Sequence, residues 1–335
     1  MRTGRPSTLA EVAARAGVSL TTASKAINGQ ARVSDATRAR VLQAARELTY
    51  TPNPMARSLV SGRSGTVGMI IVDSVSQRWA VPIMLGAEEA LSQIDLTMII
   101  SDARGDRARL QHIVDRFRER KVDGVLVLGD NNVRTPVLAP RLDRPTVYVY
   151  GETGGRDVVH VPDDAAGGAL VAEHVLALGR RRVASVTGPE GARAAVQRSA
   201  GMQQALDAAG LALVAPAAHV GWSQRAARAA AGQLLEGTPD VGAIVCGSDQ
   251  IAAGVVEAVR ASGRRIPDDV AVTGYDNWPI FALECEPPLT TVDMNLEALG
   301  AAAARDLFGV IDGLPVGGGV RLHAPTLVVR GSTTA

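Results

Sequence analysis

Gly17–Gly29, GVSLTTASKAING, carries helix signals at both ends and little that is apolar between them. Ser19 is a good N-cap and Asn28-Gly29 a stop. The centre, Leu20-Thr-Thr-Ala-Ser-Lys25, is short and polar. Such a helix is either a solvated surface helix or one whose polar face is made for something other than water. Its neighbours narrow the choice. Thr8-Leu-Ala-Glu11 reads as a capping box that opens a helix over residues 9–16, with Leu9, Val12 and Ala13 on one face. Gly17 then closes that helix as a left-handed cap. Two short helices joined by a tight glycine turn form a helix-turn-helix. A third helix follows, with Ser34 as its N-cap and Val41, Leu42, Ala45 and Leu48 as its apolar stripe. Val12, Val18, Ala23 and Ile27 are the expected core partners. Leu20, Thr21, Thr22 and Lys25 are left without core duties.

The charge distribution points the same way. The whole chain of 335 residues is nearly neutral at +1, yet residues 1–63 hold ten Lys and Arg against three acids. That segment is +7 and the remainder −6, the pattern of a basic nucleic-acid head on a mildly acidic body, or of a solvated basic face. The apolar content is enough for two or three structural units and excludes a disordered chain. No signal peptide and no bilayer-length apolar run is visible, so a soluble, cytoplasmic protein is expected. Cys246 and Cys285 form no metal-ligand spacing and read as reduced thiols, with one disulfide as the alternative.

Between head and body, Pro52 breaks the third helix, Asn53 is an N-cap and Pro54 fits a first helical turn. A helix over residues 54–60 is encoded but is marginal alone in water, and a plain linker turn is the competing reading. From residue 66, apolar runs such as TVGMIIVD, VDGVLVLG and PTVYVY alternate with helical patterns, and the alternation restarts at RRVASVTG. Two open α/β units result, with a ligand cleft expected beyond the C-terminal strand ends. No dinucleotide fingerprint, P-loop, nucleophile elbow or histidine ligand spacing is present, which argues against an enzyme. No cofactor or metal is implied.

The run TLAEVAARAGVSLTTASKAINGQARVSDATRARVLQAARELTYTPNPMARSL resembles the DNA-binding head of the lactose/galactose repressor (LacI/GalR) family in order and spacing. VPDDAAGG, TGPEGARAAVQRSAGM, CGSDQIAAGV, RRIPDDVAVTGYDN and PPLTTV extend the resemblance over essentially the whole chain. It implies an all-α helix-turn-helix head with a hinge helix, then an α/β periplasmic-binding-protein-like body of two doubly wound parallel-sheet subdomains. The divisions are 1–50 for the head, 51–65 for the hinge and linker, and 66–335 for the body. Three crossovers would split the body into 66–161 plus 292–320 and 162–291 plus 321–335.

The same resemblance implies roles. Leu20 and Thr21 take the main base-reading positions and Lys25 a third, where relatives more often carry Arg. Thr8, Ser19, Thr22, Ser24, Asn28 and Asn53 belong to the DNA-binding set, Ser19, Thr22, Ser24 and Asn28 as phosphate contacts that hold register. In the hinge, Leu59 matches a minor-groove wedge, Ala56 packs beside it and Arg57 contacts backbone or groove. In the cleft, Arg198 matches the family's effector-binding arginine and Asp276 its ligand-binding acid. Ser248 and Asp249 sit at another strand end, with a helix cap as the alternative for Asp249. Trp79 and Trp222 match aromatic cleft positions, with core packing as the rival for Trp222, and Asp130 is a further wall residue. Tyr150 stands where relatives commonly have Asp, which changes the donor and acceptor set. The implied protein is a homodimeric regulator, most simply a repressor, of a pseudo-palindromic operator, controlled by a sugar-like effector. Lacking an apolar heptad tail at LVVRGSTTA, it is not expected to form a tail-mediated tetramer. A solute-binding receptor would predict a secretion signal and no basic head.

Overall fold

The computed structural model describes residues 7–27, 33–50 and 63–334, in two compact units, a head and a body. Asn28, the hinge helix, and the roles of Asn53, Ala56, Arg57 and Leu59 lie outside the described residues.

The head holds α1 (Leu9–Ala16), α2 (Leu20–Ile27) and α3 (Asp35–Glu47). The capping box forms: the Thr8 hydroxyl accepts from the Glu11 amide at 3.3 Å and the Thr8 amide donates to Glu11 Oε2 at 2.8 Å. Gly17 caps α1 at φ 64°, a conformation that favours glycine. The core is Val12, Ala13, Ala16, Ala23, Ala26, Val41 and Ala44, with Leu9, Val18, Ile27, Ala45 and Leu48 packed around it. Two expectations shift here. Ala26 is buried in α2, and Leu42 is turned outward because the α3 stripe runs through Val41 and Ala44 instead. An Arg15–Glu47 pair (2.8 Å) ties α1 to α3 at the surface, where such pairs contribute little.

The body opens with β1 (Thr66–Ile71), α4 (Ala80–Ser92), β2 (Thr97–Asp102), α5 (Arg107–Glu119), β3 (Gly124–Leu128), α6 (Ala139–Leu142), β4 (Thr146–Val149) and β5 (Val158–Pro162). It continues with α7 (Asp164–Ala177), β6 (Val183–Thr187), α8 (Arg193–Ala208), β7 (Ala218–His219), α9 (Gln224–Gly237), β8 (Ala243–Cys246), α10 (Asp249–Ala261), β9 (Ala271–Thr273) and α11 (Pro279–Ala282). It closes with β10 (Thr291–Asp293), α12 (Leu296–Ile311), β11 (Gly319–His323) and β12 (Thr326–Val328). One sheet has the order β11-β5-β4-β3-β1-β2 and the other β7-β6-β8-β9. The inner strands β3, β5, β6 and β8 are buried along their whole length, as expected when helices cover both faces of a parallel sheet.

β5 is not legible as a strand from periodicity, because His160 interrupts its apolar run. Inside the fold that histidine contacts His323 and Asp306 (both 2.9 Å). The pairing of β11 with β5 continues to His323, so the last crossover falls after His323 and not at 320/321. β10 and β12 form a separate two-stranded antiparallel sheet. Cys246 and Cys285 are both free.

Helix pairs pack at glycines. A β-carbon at Gly168 on α7 would lie 1.9 Å from the Arg198 carbonyl oxygen, and one at Gly201 on α8 would lie 1.8 Å from that of Ala165. α4 and α12 meet the same way at Gly86 and Gly300. These approaches bring α8, and with it Arg198, against α7.

Candidate functional site

In the head, the helix-turn-helix presents one face. Leu20 is 54% exposed on a helix whose other side holds the fully buried Ala23. Ser19 and Thr21 are exposed beside it, and Thr22, Ser24 and Lys25 are half-buried. The Ser19 hydroxyl accepts from the Thr22 amide (3.1 Å) and shares a hydrogen bond with the Thr22 hydroxyl (2.8 Å), which sets the start of α2. Thr8 works as the cap of α1, with both its amide and its hydroxyl held by Glu11.

In the body, a cavity of about 720 Å³ opens between the two sheets' units. Arg78, Trp79 and Leu85 line it from one side, Asp276, Asn277 and Trp278 from the other, and Met294 and Asn295 from the crossing segment. Arg78 Nη2 donates to Asp276 Oδ2 at 2.6 Å, across 198 residues of sequence. The Arg78 guanidinium carbon lies 5.7 Å from the Trp79 ring centroid and 5.5 Å from that of Trp278, within cation–π range. Asp276 (φ 109°), Asn277 (φ 49°) and Tyr150 (φ 56°) are all held at positive φ, a conformation costly for non-glycine residues that clusters at functional sites.

Arg198 and Asp276 come together, but Arg198 is only 5% exposed and its donors are committed to protein atoms. Nε donates to Asp164 Oδ1 (2.8 Å) and Nη1 to the Gly247 carbonyl (2.7 Å), with Asp276 Oδ1 at 3.5 Å. Nη2 reaches Met294 Sδ at 3.6 Å, and the Tyr275 ring centroid lies 3.7 Å from the guanidinium carbon. Burial works to lower the Arg198 pKa, but the Asp164 carboxylate, with Tyr275 and Asp276, holds it above the ordinary value. Asp164 in turn accepts from Asn131 Nδ2 (2.5 Å), and the Asn131 carbonyl accepts from Arg193 (2.8 Å), which pairs with Glu152.

Four residues expected in the cleft are placed otherwise. Ser248 is the N-cap of α10, its hydroxyl accepting from the Ile251 amide (3.2 Å). Asp249 is fully buried and accepts from the Thr291 hydroxyl (2.6 Å) and the Trp278 amide (2.7 Å), so the cap-like structural alternative describes it better than a ligand contact. Trp222 is not on the 720 Å³ cavity: it packs on the second unit's core with its ring over Gly188, where there is no side chain to displace it. Asp130 folds back on its own loop, accepting from the Asn132 amide (2.9 Å) and side chain (3.0 Å). Trp79 stays on the cavity, stacked on the buried Tyr150 at 5.2 Å between centroids. Sequence reading missed Arg78 and Trp278. Both flank residues it did single out, Trp79 and Asp276 with Asn277.

Burial, with the Asp276 charge adding to it, raises the Asp249 pKa to about 7. A carboxyl whose folded pKa lies above its unfolded value stabilises the fold at low pH, and that stability is lost as pH rises through the folded pKa. Asp249→Asn keeps the shape and an acceptor for the Trp278 amide while removing the titration. Relative to this variant, the wild type is expected to lose about 2 kcal/mol between pH 5 and pH 8 in urea unfolding. Parallel pH profiles would refute the assignment.

Residues 8–53 match the family described as bacterial regulatory proteins, lacI family, and residues 172–333 match the periplasmic binding protein-like domain. The HTH-type transcriptional regulator CelR of Thermobifida fusca is 36% identical over 327 residues, covering 93% of this chain and 94% of that protein. A solved transcriptional regulator CelR–cellobiose complex superposes with TM-score 0.66 at 32% identity, covering 98% of this chain and all of that one. The Lac repressor dimer bound to operator and the anti-inducer ONPF superposes with TM-score 0.76 at 25% identity, over 99% and 100% of the two chains. A helix-turn-helix head joined to a two-unit ligand-binding body defines an allosteric DNA-binding transcriptional regulator, not an enzyme. The chain belongs to the lacI family of bacterial regulatory proteins.

Proposed function

We propose that this regulator is a homodimeric repressor of a pseudo-palindromic operator, released or engaged by an uncharged, sugar-like effector in the Arg78–Asp276 cleft. Leu20, Thr21 and Lys25 read base edges, while Ser19, Thr22 and Ser24 contact phosphates. The observation that carries the reading is the pairing, in one chain, of an exposed Leu20–Thr21 face with a cleft that one ion pair closes across two units. An effector that separates Arg78 from Asp276 changes the relative angle of those units, which is the two-state element an allosteric regulator needs. Dimer formation is supported by exposed Ile280 and Leu283 on and beside α11. Apolar surface of that kind suits a second copy of the chain.

Gel-shift titration of the full chain on palindromes near its gene tests this. Binding is expected to be sequence-preferring and to weaken steeply with salt, as phosphate neutralisation requires. Absence of sequence preference under every effector condition would sink the repressor reading. Lys25→Ala is expected to relax base preference at one symmetric operator position by about 1 kcal/mol per half-site, because lysine lacks the arginine fork. A uniform loss on all sequences would make Lys25 a phosphate contact instead.

A further inference from the structure

Where the chain enters the body, a carboxylate holds it. Asp123, just before β3, accepts from the Ser64 amide (2.7 Å), the Ser64 hydroxyl (3.1 Å) and the Gly65 amide (2.8 Å). Its own amide donates to the Thr66 carbonyl at 2.8 Å. Three strands start side by side here, with Val67 of β1 beside Gly124 of β3 and Val125 of β3 beside Thr146 of β4. This end of the sheet is opposite the strand ends that open on the cleft, and it is basic. Arg116-Phe-Arg-Glu-Arg-Lys121 holds four cations and one acid, and Arg144 lies just before β4, on a body whose net charge is −6. All five cations are exposed, and among the described residues none of their side chains has a hydrogen bond or an ion pair. The negative end of the α5 dipole suits Arg116 and Arg118, in its last turn. It does not account for Lys121, past the cap, or for Arg144, on another segment.

We propose that Arg118, Arg120, Lys121 and Arg144 form a second DNA contact, on the body, that meets the phosphate backbone of a duplex held by the head. The twelve residues 51–62 span no more than about 45 Å even if fully extended, so DNA on the head is never far from the strand starts. Asp123 fixes the root of that tether two residues after Lys121. A tethered polyanion meets these cations at high effective concentration, and each phosphate neutralised releases counterions. The contact reads no bases, because phosphates carry no sequence information. It therefore adds affinity for any duplex, whichever operator the helix-turn-helix selects.

Fluorescence anisotropy of the full chain on a random-sequence duplex, over a series of salt concentrations, tests this. Lys121→Gln is expected to reduce the slope of log affinity against log salt by about 0.9 for each chain bound. Arg118→Gln, Arg120→Gln and Lys121→Gln together are expected to reduce it by about 2.7. At low salt the triple variant is expected to bind about tenfold more weakly, by the same factor on any palindrome that the wild type prefers. Arg107→Gln removes one equally exposed charge at the other end of α5, about 20 Å from Lys121, and is expected to keep the wild-type slope. Thermal unfolding checks that each variant is folded; should the triple variant fail, Lys121→Gln carries the test. A wild-type slope in the variants, or an equal drop in Arg107→Gln, overturns the proposal and leaves a solvated basic face. A loss confined to one DNA sequence overturns it as well, since a backbone contact weakens all duplexes alike. Random duplex keeps the test independent of the operator reading, so either can fail without the other.

Discussion

Arg198→Met is expected to lower the unfolding free energy of the body by about 3–5 kcal/mol, the usual consequence of removing one partner of a buried ion pair. Asp164 is 2% exposed, and its Oδ1 accepts from Arg198 Nε at 2.8 Å. Methionine fills much of the arginine's volume but leaves that carboxylate without its countercharge and the Gly247 carbonyl without its donor. Most of the loss therefore comes from the stranded acid, and not from packing. The double variant Arg198→Met with Asp164→Asn is expected to recover a large part of it, since replacing both charges removes the uncompensated one. Urea unfolding monitored by circular dichroism reads both values. A single-variant loss below about 1 kcal/mol, or no recovery in the double variant, would mean that Arg198 and Asp164 do not depend on each other.

Gly201→Val is expected to destabilise the body by about 3 kcal/mol, at the upper end for overpacking. The atom in the way is a backbone carbonyl oxygen, that of Ala165, 1.8 Å from where the new β-carbon would be. A flexible side chain could swing aside, but a helix backbone has to move as a whole. Since Gly168 meets α8 in the same close approach, α7 and α8 would separate along their crossing and carry Asp164 away from Arg198. The contrast is Gly232 on α9, where nothing lies within 4 Å. There Gly232→Ala is expected to stabilise by about 0.5–1 kcal/mol, because glycine is a poor helix residue. Thermal unfolding midpoints that move together for the two variants would contradict this reading.

Much of this molecule was readable one residue at a time. Thr8 with Glu11, Gly17, Ser19 and Ser34 mark helix ends through contacts three or four residues apart, and all four caps form. Inner strands such as β3 and β8 are continuous apolar runs, which parallel sheets covered on both faces require. Leu20 was correctly left outside the core, because Ala23 and its neighbours already fill the buried side of α2. β5 escaped notice since its histidine is satisfied by His323 and Asp306, more than 140 residues away. The cleft residues were found in part only. Position singled out Arg198, Asp249 and Ser248, but position says nothing about which of their hydrogen bonds are already taken.

By itself, the sequence determined the helix-turn-helix, the basic head on an acidic body, and the repeated α/β pattern that places a cleft at the strand ends. Local capping, helical period and charge counts need no knowledge of distant partners. Only the tertiary structure decided which arginine faces the cavity. Arg198 is committed to Asp164, Gly247 and Asp276, which lie 34, 49 and 78 residues away in sequence. Arg78, on the edge of the same site, keeps its Nε without a hydrogen-bond partner among the described residues. Whether a guanidinium is available to a ligand depends on what burial has placed around it, and that is set by contacts between segments far apart in the chain.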